Sequence, residues 1–99
     1  MKIEYDDEGL RRLAEDAGFR PKQWRGDVVA SYRKKIQLLD GAEDERDLRA
    51  MRSLNLEKLK GDRSGQYSIR LNDQFRLILT FHTEANGRVV VVIELVDYH

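Results

Sequence analysis

Residues 66–82 read QYSIRLNDQFRLILTFH, and their period of two decides the fold. Tyr67, Ile69 and Leu71 alternate with Gln66, Ser68 and Arg70. After the turn-forming pair Asn72-Asp73, Phe75, Leu77, Leu79 and Phe81 alternate with Arg76, Ile78, Thr80 and His82. Side chains alternate across a strand, so each run predicts a strand with one apolar face, and two such runs about a tight turn predict an antiparallel pair. Asn86-Gly87, a strong hairpin signal, leads into VVVVIELVDYH at residues 89–99, giving a three-stranded meander. A shorter strand candidate precedes it at Asn55–Lys60.

Outward from the meander the period changes. Lys2–Tyr5 is a short strand candidate, Asp6 or Asp7 can cap a helix carrying Leu10, Leu13, Ala14 and Ala17, and Gly18 is the expected stop. Pro21 suits the first turn of a second helix reaching about Leu39. On it Trp24, Val28, Tyr32, Ile36 and Leu39 form one apolar stripe, and Arg25, Arg33 and Lys34 lie off it. GAEDERDLRAM (residues 41–51) is a polar connection with room for one helical turn. A strand, two helices and a meander make an α+β plan over residues 1–99, one domain with the helical hairpin packed on one face of a mainly antiparallel sheet. Pleat parity then collects Ser68, Arg70, Arg76, Thr80, Glu94 and Tyr98 on the other face, with little apolar cover. Arg70 and Arg76 flank one turn, and two adjacent guanidinium groups suit an anion held between them; pairing with Asp73 or Glu94 is the alternative.

Composition narrows the chemistry. The 99 residues contain no cysteine and two histidines, which leaves no thiolate metal site and points to metal-free, cofactor-free chemistry. No apolar run approaches the roughly 20 residues of a membrane helix, and the acidic N-terminus is unlike a signal peptide, so a cytoplasmic protein is expected. The formal charge is zero, yet it is unevenly spread. Residues 20–35 hold six basic side chains against Asp27, whereas residues 40–47 hold five acids against Arg46. A basic helix face is therefore available to a polyanion.

The stretch LEKLKGDRSGQYSIRLNDQFRLILTF at residues 56–81, with the terminal D-Y-H, resembles the HigB branch of the RelE/ParE toxin superfamily of bacterial toxin–antitoxin pairs. The match is most specific at LKGDRSGQYSI, at the N-D-Q-F-R turn and at D-Y-H. The resemblance implies the RelE-like fold, with a curved sheet. It also implies a ribosome-dependent ribonuclease that cuts messenger RNA in the decoding site without a metal, neutralised by a HigA-like helix-turn-helix antitoxin. By position it implies that Lys60 faces the scissile phosphate, that Arg76 stabilises it, that Arg70 stands where related toxins place a basic residue, and that Asp97, Tyr98 and His99 form the C-terminal catalytic group. Many HigB sequences read H-P-L-K-G where this chain reads E-K-L-K-G, which places Glu57 at the family's histidine.

The chemistry fits these residue types. Attack of a ribose 2′-hydroxyl on its own phosphate needs a proton acceptor, a donor for the leaving oxygen and cations for the developing charge. His99, with an ordinary pKa of about 6.5, is the first candidate base. Lys60 and Arg76 would stabilise the transition state, Tyr98 would stack on a base or orient the phosphate, and Asp97 would orient His99 or simply stop the strand. Arg25, Arg33 and Lys34 are candidates for ribosomal RNA contact or form a plain solvated face. A regular last strand, however, turns Tyr98 to the open face and Asp97 and His99 to the helices, so the strand has to end or twist near Asp97. Two further readings remain: a ParE-type inhibitor that binds DNA gyrase, and a toxin fold that has lost activity.

Overall fold

The computed structural model describes residues 1–97. In chain order it contains β1 (Lys2–Tyr5), α1 (Glu8–Glu15), α2 (Gly26–Gly41), α3 (Glu45–Ala50), β2 (Glu57–Lys58), β3 (Tyr67–Arg70), β4 (Phe75–Glu84) and β5 (Gly87–Asp97), with short 3-10 turns at Arg52–Leu54 and Gly61–Arg63. The sheet order is β1-β5-β4-β3-β2. β1 runs parallel to β5 and the other pairs are antiparallel, so the meander is the body of the sheet and the helices cover one face of it. Among the described residues no helix is long and apolar enough to cross a membrane.

The α1 cap is Asp7, whose carboxylate accepts from the Leu10 N–H at 2.9 Å. Leu10 and Leu13 point inward, and α2 answers with Val28, Val29, Tyr32 and Leu39. The buried Tyr32 hydroxyl donates to the Leu10 carbonyl at 2.7 Å, tying the two helices together. Ile69, Leu71, Leu77, Leu79, Val90, Val92 and Leu95 complete the core from the sheet side. The expected α2 start at Pro21 is five residues early. Arg25, in an extended conformation, occupies the cap position instead, while Trp24 leaves the helical stripe to set its ring edge-on to Phe75 at 5.6 Å.

The expected strand at 55–60 is shorter as well. Asn55 has φ 47°, outside strand geometry, and only Glu57 and Lys58 join the ladder, opposite Ser68 and Tyr67. β5 departs from strict alternation. Its pairing with β4 jumps from Ile78↔Glu94 to Leu79↔Val92, so Ile93 is an extra residue in a bulge. That one insertion lets Val90 and Val92 on one side of it and Leu95 on the other all reach the helical core, which a regular strand would forbid.

The face away from the helices is less open than alternation implies. Ser68, Ile78 and Val89 lie on it and are 0%, 1% and 2% exposed. The crossing between β2 and β3 folds over part of it, with the Thr80 hydroxyl donating to the Gly65 carbonyl at 3.2 Å and Arg63 paired with Glu94.

Candidate active site

On that face, where β4 and the end of β5 meet the crossing, lies a cleft of about 600 Å³ lined by Leu59, Lys60, Asp62, Arg63, Ile78, Val96 and Asp97. Its composition follows from the pleat. Ile78 and Val96 project from adjacent strands as an apolar floor, and the charged groups stand at the rim. Lys60 is exposed at the head of the Gly61–Arg63 turn. Gly61 has φ 66° and Gly65 φ 89°, left-handed conformations that glycine adopts without strain, so the turn can fold tightly over the sheet. Asp97 stands opposite Phe75 in the ladder, and its carboxylate accepts from Gln74 Nε2 at 2.9 Å. Lys60 and Asp97, far apart in sequence, thus share one cleft.

Arg76 corrects the expectation of an exposed arginine beside Arg70. It is 5% exposed. Its Nε donates to Ser68 Oγ at 2.8 Å and its Nη2 to the Asn55 carbonyl at 2.5 Å and the Ser68 carbonyl at 3.3 Å. The left-handed Asn55 turns a carbonyl inward, and the side chain of Arg76 runs beneath the crossing to meet it. Its backbone stands opposite Val96, but its guanidinium runs the other way, toward β3 and Asn55, and Arg76 does not line the cleft. Arg70 is directly opposite Arg76 in the ladder but exposed, with its guanidinium on Asp73 and, at 3.3 Å, on the Asn72 carbonyl. Each of the two arginines has protein partners of its own.

The helical cations separate in a similar way. Arg25 makes an exposed two-point pair with Asp27 at 3.1 and 3.0 Å. The sequence reading of Arg33 is a solvated helix face or a ribosomal RNA contact. Instead its guanidinium donates to the carbonyls of Leu13, Asp16 and Phe19 at 2.9, 3.2 and 3.2 Å, holding the end of α1 and the loop after it. Lys34 is exposed on α2, and the neighbouring half-buried Lys35 has its pKa lowered by burial and then by Lys34 and Arg70. None of Arg25, Arg33, Lys34 and Arg70 lines the cleft. Glu57, half-buried, lies on β2 opposite Ser68, beside the Arg76 network rather than at the rim. Tyr98 and His99 lie outside the described residues.

Two groupings are not foreshadowed by period or charge. Arg63 is a second cation of the cleft wall, carried by the same LKGDRSG segment as Lys60. At the opposite end of that face, Glu4, His82 and Glu84 bring ligand-type atoms within 4.8 Å of one another. Their carboxylates already face the Lys2 ammonium at 3.4 and 3.6 Å. Strands β1 and β4 meet there only because β5 lies between them, an arrangement hidden in the linear order. Chemically, the cleft joins an apolar floor to Lys60 and Arg63 and to the carboxylates of Asp62 and Asp97. It is suited to a phosphate carrying an apolar or aromatic group.

Comparison with known proteins agrees on the fold and identifies the kin. The HigB-like toxin family, described as the RelE-like toxin of the type II toxin-antitoxin system HigB, matches residues 3–99. Toxin HigB-1 of Vibrio cholerae serotype O1 is 35% identical over 78 residues, covering 79% of this chain and 81% of the relative. Among solved structures, a YoeB/ParE toxin from Agrobacterium tumefaciens superposes with a TM-score of 0.56 at 18% identity over the whole of both chains. The YoeB-YefM complex from Staphylococcus aureus gives 0.56 at 21% identity over 100% of this chain and 97% of that one.

Proposed function

The chain belongs to the HigB-like family of RelE-like toxins of type II toxin–antitoxin systems, and from that membership we propose that it is a ribosome-dependent endoribonuclease that cuts messenger RNA and so arrests translation. Toxins of this family are generally endoribonucleases that inhibit translation, and the observation that carries the finer reading is the cleft joining Lys60 to Asp97 over an apolar floor. In the proposed reaction, with the message held by the ribosomal decoding site, a 2′-hydroxyl gives its proton to the base and attacks the adjacent phosphate; a 2′,3′-cyclic phosphate forms as the bond from phosphorus to the 5′-oxygen breaks, and that oxygen leaves with a proton taken from the site. The Lys60 ammonium meets the phosphoryl oxygens as they gain charge. Arg76, fixed by Ser68 and Asn55 outside the cleft lining, adds a preorganised positive charge at longer range and spends no reorganisation during the reaction. Tyr98 and His99, next in sequence after Asp97, supply the phenol and the imidazole, with His99 as base; Asp97 orients it, and Glu57 stands in reserve as a carboxylate near Arg76. No metal or cofactor has a step in this scheme. Arg70 and Arg25, after exchanging Asp73 and Asp27 for phosphates, and the exposed Lys34 serve as outer RNA contacts, whereas the donors of Arg33 serve the helical hairpin.

The proposed partner that silences it is a HigA-like helix-turn-helix antitoxin in the same cytoplasm. A reconstituted translation reaction programmed with a defined message tests the reading. Cleavage that requires ribosomes and falls about 100- to 1000-fold in Lys60→Ala is the expected outcome. Intact ribosome-bound message together with blocked gyrase supercoiling would instead establish the ParE-type activity. Intact message, normal supercoiling and unimpaired growth on induction would mark an inactive toxin fold.

A further inference from the structure

The rim of the cleft carries a charged pair to which the proposed chemistry gives no task. Arg63, three residues after Lys60, donates through Nη2 to Glu94 Oε1 on β5 at 2.5 Å and through Nη1 to Gln66 Oε1 at 3.1 Å. Two more bonds hold the same crossing: the Leu59 N–H donates to the Gln66 carbonyl at 2.9 Å, and the Thr80 hydroxyl to the Gly65 carbonyl at 3.2 Å. The segment from Leu59 to Gly65 is thereby fastened to β3, β4 and β5. Among these bonds of the described residues, the Arg63 tie is the one that reaches β5, whose described span ends at Asp97. Glycines at 61 and 65, both at positive φ, bend the backbone between these fastenings, and the Ser64 N–H closes the turn on the Gly61 carbonyl at 3.0 Å.

Exposure separates what this tie does for stability from what it does for geometry. The Arg63 and Glu94 side chains are 38% and 46% exposed, and pairs so wetted contribute little to global stability. Yet Glu94 sits beside the bulge at Ile93, the place where β5 is re-registered against β4, and the tie spans from there to the turn carrying Lys60. We propose that Arg63 and Glu94 are positioning residues: their ion pair holds the Lys60 turn at a fixed height above the Ile78–Val96 floor, so that the ammonium meets the phosphate. Glu94 does not line the cleft, so its effect on catalysis has to pass through Arg63. This inference rests on the ribonuclease reading above.

Single-turnover cleavage of ribosome-bound message by wild type, Arg63→Ala, Glu94→Ala and the double variant tests it. Misplacing a catalytic group by about 1 Å costs on the order of 100-fold in rate. The expected result is a fall of about 10- to 100-fold in the cleavage step for each single variant, with substrate affinity within about threefold of wild type and the double variant no slower than the slower single. Melting temperatures should stay within about 4 °C of wild type, and amide exchange should quicken across residues 59–66. Glu94→Ala with wild-type rate, additive effects in the double variant, or a loss confined to affinity would each overturn the positioning role, the last because it marks Arg63 as a direct phosphate ligand. A wild-type protein that leaves the message uncut fails earlier and sinks the ribonuclease reading itself.

Discussion

Replacing Arg76 by alanine should unfold a large part of the stability margin, not merely silence the cleft. The guanidinium is 5% exposed and makes three hydrogen bonds at 2.5–3.3 Å to Ser68 and Asn55. A hydrogen bond to a charged group contributes roughly 1.5–3 kcal/mol, and a buried acceptor left without its donor costs about 1–3 kcal/mol. Ser68 is wholly buried, so its hydroxyl cannot turn to bulk water. Relief from burying a charge offsets part of this loss, and a net cost of about 3 kcal/mol follows. Against a total of roughly 5–15 kcal/mol for a domain of this size, that is a fifth to more than half. Urea unfolding followed by far-UV circular dichroism measures it, as a lower midpoint at unchanged slope. Arg76→Met, which keeps much of the volume and loses the hydrogen bonds, separates packing from polarity. An Arg76→Ala midpoint corresponding to less than about 0.5 kcal/mol would refute the buried network, because surface substitutions stay within that range. Lost activity in this variant must accordingly be normalised to the folded fraction.

Three further outcomes are expected. Lys60→Ala, at an exposed turn position, should leave the urea midpoint within about 0.5 kcal/mol of wild type while cutting single-turnover cleavage about 100- to 1000-fold. Tyr32→Phe removes only the hydroxyl that donates to the Leu10 carbonyl at 2.7 Å, and calorimetry should register about 1 kcal/mol, or a fall of about 4–8 °C in melting temperature. Glu45 and Arg88 pair through two bonds at 2.8 and 2.6 Å, and the hydrogen bonding from Arg88 holds the Glu45 carboxyl below its ordinary pKa. A lowered folded-state pKa contributes stability above the unfolded value and loses it as pH falls through the folded one. Wild type should therefore exceed Glu45→Gln by about 1 kcal/mol at pH 7 and converge with it below about pH 4, as urea titrations at stepped pH will read.

What the sequence determined by itself is the part of the protein written in local periods and short motifs. Alternation in residues 66–82, the Asn72-Asp73 and Asn86-Gly87 turns, a cap at Asp6 or Asp7 and the apolar positions Leu10, Leu13, Val28, Tyr32 and Leu39 of the two helices are each fixed by neighbours a few residues away, and the folded chain keeps them, with Asp7 as the cap. The motifs LKGDRSGQYSI and D-Y-H, being specific strings, were enough to place the chain among HigB toxins. Tertiary structure decided the fate of each polar side chain, because that depends on which backbone passes overhead. Parity put Arg76 on the far face correctly, yet it could not show that the 55–66 crossing covers that face, or that a left-handed Asn55 turns a carbonyl toward the guanidinium. Nor could spacing reveal that Arg33 spends its donors on three carbonyls around the end of α1, or that Arg63 reaches Glu94 on a distant strand. The bulge at Ile93 belongs to the same class. A run of Val and Ile suits both faces of a sheet equally, so its register is set only when Val92 and Leu95 compete for the same core.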